Sequence, residues 1–211
     1  MEPLKERFFD LCGRIGLDNP EHAYNEMQKY YSRPKRFYHN FNHIRMCLDE
    51  FSDARHFVQN PDALEFAIFF HDIICEPSLD DNEERSARLA YHLCKGCGAD
   101  KEFARNVMNL ILMTKHDGNA DDINLTLDSR LIADIDLAIL GKPAAEFDKY
   151  EQAIRKEYAH LPEDLYARER IRLLRDFLKR GIYQTIFFIS RYDLKARENL
   201  ERAIQRLRSK Q

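Results

Sequence analysis

Phe69-Phe70-His71-Asp72-Ile73-Ile74 sets an imidazole and a carboxylate side by side at the end of an apolar run. Helix neighbours point about 100° apart, so adjacent residues reach one ion only where a helix turn is buried and crowded. The run Ala63 to Ile74, opened by Asn60-Pro61-Asp62, is apolar nearly all round and predicts a helix in the middle of a bundle. His71 and Asp72 then fall in the core, where polar groups cost several kcal/mol unless they are paired or metal-bound.

Outward from this stretch the pattern is helical. Seven glycines and seven prolines in 211 residues leave few breakers, and apolar residues recur at spacings of three and four. An all-α fold is expected, as one domain, 1–211, with a core at about 36–141 and helices 147–208 packed on it. Helices are predicted from Leu4 to Ile15, Glu21 to Tyr31, near Asn40 onward, Glu83 to Lys95, Lys101 to Lys115, Leu125 to Leu140, Phe147 to Tyr158 and Leu165 to Lys179. His116-Asp117-Gly118-Asn119 is read as a helix exit, and Gly141 as a helix stop. If the third helix reaches back to His39, its imidazole shares a face with that of His43. Ile182 to Ile189 has the composition of a strand but no partner strand. It is expected to be a short buried helix or link before a last helix from Ser190 to Leu207.

Composition limits the function classes. The chain has 33 basic and 36 acidic residues, a net of −3, with no general attraction to nucleic acid or to an anionic membrane. Arg168 to Gln211 carries +8 and the rest −11; a solvated helix face is the plainer account of this gradient, an acidic partner or phosphorylated substrate the sharper one. There is no run of about 18 apolar residues and no signal-peptide layout, so a soluble, cytoplasmic protein is expected. Five irregularly spaced cysteines point to reduced thiols; Cys94-Lys95-Gly96-Cys97 has the spacing of half a zinc knuckle, with no second pair.

His43, then His71-Asp72 after 28 residues, then Asp136 after a further 64, form a His…His-Asp…Asp set on three predicted helices. Two imidazoles and two carboxylates suit Mn, Fe, Co, Ni or Zn better than Ca or Mg. Four protein ligands leave an octahedral ion two open positions, one for water and one for a phosphate oxygen.

The sequence resembles the HD-domain superfamily of metal-dependent phosphohydrolases, in particular predicted bacterial members of about this length. The resemblance is carried by Arg36-Phe37-Tyr38-His39-Asn40-Phe41-Asn42-His43, Ala67-Ile68-Phe69-Phe70-His71-Asp72-Ile73-Ile74, Asn82-Glu83-Glu84-Arg85-Ser86-Ala87, Met113-Thr114-Lys115-His116 and Ala133-Asp134-Ile135-Asp136-Leu137. It implies that His43, His71, Asp72 and Asp136 ligate one divalent ion. Asp134 is the rival of Asp136, the other acid orienting a histidine or capping a helix. Alanine is the commoner family residue at Ile135. The resemblance also implies Glu83, or Glu84 beside it, as general base, against the plainer reading of helix-start carboxylates. Lys115 and His116 are candidates for the substrate phosphate; a second metal is not expected, since Asp117 stands where relatives often have histidine. Arg36, Tyr38 and His39 are candidates for phosphate or base contact, and Arg155 for a phosphate clamp. The expected activity is hydrolysis of a phosphoester of a nucleotide or small phosphometabolite. The alternative is a metal-stabilised nucleotide-binding protein without turnover, and a two-iron oxygenase is a third reading. A homodimer is open, with Ile182 to Ile189 as suited to an interface as to a core.

Overall fold

In the computed structural model, which describes residues 2–116 and 125–209, the regular elements are all helices. Asp117, Gly118 and Asn119, read above as a helix exit, lie outside the described residues. The elements are α1 (Glu2–Arg14), α2 (Pro20–Tyr31), α3 (Phe41–Ala54), α4 (Pro61–Phe70), α5 (Asn82–Gly96), α6 (Lys101–Leu112), α7 (Leu127–Leu137), α8 (Ala144–Glu157), α9 (Glu163–Arg180) and α10 (Ile186–Arg208). Short 3-10 turns follow α3, α6 and α7. Among the described residues no helix is long and apolar enough to cross a membrane. The chain divides into two compact units, Met1–Ala133 and Asp134–Gln211, the division falling inside α7.

The first unit is built around α4. Every residue from Ala63 to Phe70 is buried, and α1, α3, α5 and α6 all pack against this helix. Pro61 occupies its first turn, where the missing N–H is no loss. Just before it, the buried carboxylate of Asp128 accepts from the Gln59 and Asn60 N–H groups at 2.8 and 2.7 Å. Phe8 of α1 lies in an aromatic cluster with Phe66, Phe69 and Phe70, the Phe69 ring edge-on at 5.1 Å. α4 ends at Phe70, four residues before the apolar pattern does. Side chains from elsewhere hold the end of α4 and the turn just beyond it. The Tyr31 hydroxyl donates to Phe69 O at 3.0 Å, and Arg36 donates to Asp72 O and Ile73 O at 2.5 and 2.7 Å.

α3 begins at Phe41, with Asn40 as its N-cap accepting from the Asn42 N–H at 2.9 Å, so His39 stands outside the helix. The Asn40 amide also donates to Arg36 O and Phe37 O, both at 3.1 Å, which fixes the approach to the helix. The segment leaving α4 is held at two points on α5. Ser86 exchanges hydrogen bonds with Ile74 N and O at 3.0 and 3.2 Å, and Asn82 pairs with Glu76 N and O at 2.9 and 3.1 Å.

In the second unit α10 packs on α9 and on the 3-10 turn Ala138–Gly141. Gly141 serves close approach rather than helix termination: a Cβ there would lie 2.5 Å from Tyr192 Cβ. The turn is tied down by the buried Asn199 amide, which donates to Leu140 O and Lys142 O at 2.8 Å each. The stretch Ile182 to Ile189 divides into a link and the first turn of α10, with Thr185 as N-cap. Ile182, Tyr183 and Phe188 are buried, whereas Ile186 is exposed.

All five cysteines are free thiols, and the Cys94–Cys97 pair has no second pair beside it. Burial first, and the neighbouring Cys97 second, push Cys12 and Cys94 up to about 12. Both are therefore fully protonated near pH 8, where alkylation needs the thiolate. Iodoacetamide with mass-spectrometric mapping is expected to label half-buried Cys75 while Cys12 and Cys94 stay unmodified until the chain is denatured. Labelling of Cys12 in the native protein at the rate of Cys75 would contradict this.

Candidate metal centre

The exit of α4 resolves the problem of adjacent ligands. His71 is the C-cap of the helix, with φ −59° and ψ −37°, and Asp72 lies in the turn beyond it. His71 keeps right-handed helical dihedrals, yet in this turn its Nε2 and the Asp72 carboxylate converge to 3.1 Å. They meet His43, which the first turn of α3 presents from across the unit; both imidazoles are 2 % exposed. His43 Nε2 lies 3.0 Å from His71 Nε2, and Asp72 Oδ2 is 3.2 and 3.1 Å from these two nitrogens. Three donor atoms thus form a nearly equilateral triangle.

The tautomer of His71 is fixed by its surroundings. Its Nδ1 lies 2.9 Å from the carbonyl of Ile68, an acceptor only, so Nδ1 carries hydrogen and the neutral ring offers a lone pair at Nε2. That lone pair faces a carboxylate oxygen and a second imidazole nitrogen inside the core. Without positive charge between them such donors repel; a divalent cation or a proton relieves it. Burial raises the Asp72 pKa, but the imidazoles of His71, His39 and His43 outweigh it and hold the group well below the carboxylate range.

Donors this close together could hold a metal ion. Cys47, one helical turn beyond His43, sets its Sγ 3.7 Å from both nitrogens of that ring. The ligand atoms of His43, Cys47 and His71 lie within 4.8 Å of one another, a buried group that could hold a metal ion. Cys47 was not singled out from the sequence; its i, i+4 spacing from His43 was the available signal.

The other candidates take definite places. His39, though outside α3, brings Nε2 to 4.0 Å from Asp72 Oδ2, and its ring meets that of His43 edge-on with centroids 5.9 Å apart. The Tyr38 ring centroid lies 4.7 Å from that of His43. Arg36 is directed at backbone carbonyls, donating to His39 O at 3.0 Å in addition to the two carbonyls after α4. Glu83 and Glu84 open α5; Glu84 pairs with Lys115 at 2.6 Å. Glu83 lies within electrostatic reach of Asp72 and His116. Burial raises its pKa, the negative charges of Asp72 and Glu84 add to this, and its own backbone N–H and His116 oppose it. His116 ends the 3-10 turn after α6 in the left-handed region, φ 53°.

Asp134, Asp136 and Arg155 belong to the second unit. Asp134 is fully buried with both oxygens occupied: Oδ1 accepts from Gln184 N at 2.8 Å, and Oδ2 from Thr185 N and Thr185 Oγ1 at 2.8 and 2.6 Å. It fastens the start of α10, the capping role open to one acid of the pair. Asp136, two residues on, is half-buried near the end of α7. The donors of Arg155 are committed to the turn between α8 and α9, at Glu163, Tyr158 O and Leu161 O.

No protein-family model, no curated protein and no solved structure matches this chain.

Proposed function

We propose that the chain is a metal-dependent phosphohydrolase acting on a small phosphorylated substrate, a nucleotide or similar metabolite, as members of the HD superfamily do. The observation that carries the reading is the convergence of His43 Nε2, His71 Nε2 and Asp72 Oδ2 on one point in the core. Such a triad would hold a metal ion. The resemblance supplies Asp136 as a further ligand. A bound ion of the Mn, Fe, Co, Ni, Zn group would lower the pKa of water and neutralise charge at phosphorus.

The chain's own residues supply the rest. Glu83 takes the proton of the attacking water, its raised pKa bringing it nearer the working range of a general base. Lys115, paired with Glu84, and His116 lie at the end of α6 on the same unit, as cationic or hydrogen-bonding groups for the phosphate. His39 holds a place beside Asp72 from which it could contact the substrate.

A panel of nucleotides and sugar phosphates, screened for phosphate release with each metal added to chelated protein, tests the proposal. Turnover is expected only with metal, and Glu83→Gln is expected to lower kcat by about 10²-fold or more with metal retained. Asp136→Ala, in the same assay, is expected to weaken metal binding. Metal binding with silence across the panel would favour the nucleotide-binding alternative and overturn the hydrolase.

A further inference from the structure

We infer that Arg36 is the positioning residue of this centre, holding the exit of α4 in the conformation in which the donors of His71 and Asp72 converge. The inference rests on the metal reading above and adds a different kind of residue to it.

A helix leaves its last carbonyls without N–H partners, and the C-terminal end carries partial negative charge. At α4 this end is also where His71 and Asp72 must be set within fractions of an ångström to converge. The guanidinium of Arg36 holds the turn just beyond that end. One nitrogen donates to Asp72 O and His39 O, the other to Ile73 O, at 2.5, 3.0 and 2.7 Å. A single planar fork therefore fixes the backbone of the carboxylate ligand, the residue after it and the loop that leads into α3 and His43. Arg36 is 9 % exposed, and its Cζ lies 5.4 Å from the ring of Tyr31, whose hydroxyl caps Phe69 O on the same helix end. Tyr31 and Arg36 thus form one brace.

Its three partners here are carbonyls, all on segments that carry candidate site residues. Such placement gives the guanidinium an internal task. Lysine would keep the charge but not the fork, since one ammonium cannot reproduce the directions set by a planar guanidinium.

Cobalt(II) titration of the metal-free protein, read by the visible d–d spectrum and by competition with a chelator, provides the test. Wild type is expected to bind one cobalt. Arg36→Ala and Arg36→Lys are expected to keep wild-type far-ultraviolet circular dichroism, to bind cobalt about 10–100-fold more weakly and to show an altered spectrum. Guanidinium ion at a non-denaturing concentration is expected to restore the wild-type spectrum to Arg36→Ala, and potassium is not. Wild-type affinity and spectrum in both variants would overturn the positioning role while leaving the metal site standing. If Arg36→Ala fails to fold, Arg36→Lys decides alone: wild-type affinity overturns the role and weakened affinity supports it. Absence of cobalt binding by wild type would instead overturn the metal reading and this inference with it.

Discussion

Replacing His71 and Asp72 together by alanine is expected to abolish stoichiometric binding of divalent metal. The substitution removes two corners of a triangle whose edges are 3.0, 3.1 and 3.2 Å, leaving His43 alone of the three. The effect on stability is largest with metal bound. With metal at about 100 times its Kd, binding stabilises the wild type by about 2.7 kcal/mol. In a chain of this length that raises Tm by about 5–11 °C, a shift the variant should lack. Elemental analysis of both proteins after metal loading and gel filtration, with melting curves beside it, is the measurement. One metal per chain retained by the double variant would sink the assignment.

The helical class is legible because it rests on local signals, spacing and the scarcity of breakers, that act within a few residues. Helix starts are legible for the same reason, as at Asn40 and Asn60-Pro61. The end of α4 is not, since Ile73 and Ile74 continue the apolar pattern while the groups that hold the turn after Phe70, Tyr31 and Arg36, stand far back along the chain. The position of His39 shows the reverse case. Helical phase would set it beside His43, yet it comes near from a turn instead. Asp134 and Asp136 could not be told apart by type or spacing. The hydrogen bonds that occupy Asp134 come from Gln184 and Thr185, and nothing local announces them. Ile186 and Leu194, both strongly exposed, show the same limit, since an apolar residue in the sequence carries no mark of what covers it.

Glu65→Ala is expected to cost about 3 kcal/mol of stability. Glu65 is the one acidic side chain on the otherwise apolar stretch from Ala63 to Phe70 of α4, and its side chain is 3 % exposed. Arg7 reaches Oε1 at 2.6 Å and Arg14 reaches Oε2 at 2.7 Å, both from α1, with Arg55 at 3.7 Å. Breaking a buried ion pair by deleting one partner typically costs 3–5 kcal/mol, chiefly because the other charge is left dry. Here the arginines that remain are 30, 41 and 46 % exposed and can rehydrate, which places the loss at the lower end of about 3. By the same reasoning Arg14→Ala should cost only about 1 kcal/mol, since Glu65 keeps Arg7. The expected fall in Tm for Glu65→Ala is about 6–12 °C. The loss should be local before it is global. Glu65 joins α1 to α4 beside the Phe8 cluster, so hydrogen exchange across Glu2–Arg14 should accelerate more than exchange in α6. A melting temperature within about 2 °C of wild type, or acceleration spread evenly over the first unit, would show that α1 is held by its aromatic contacts and that the buried glutamate contributes little.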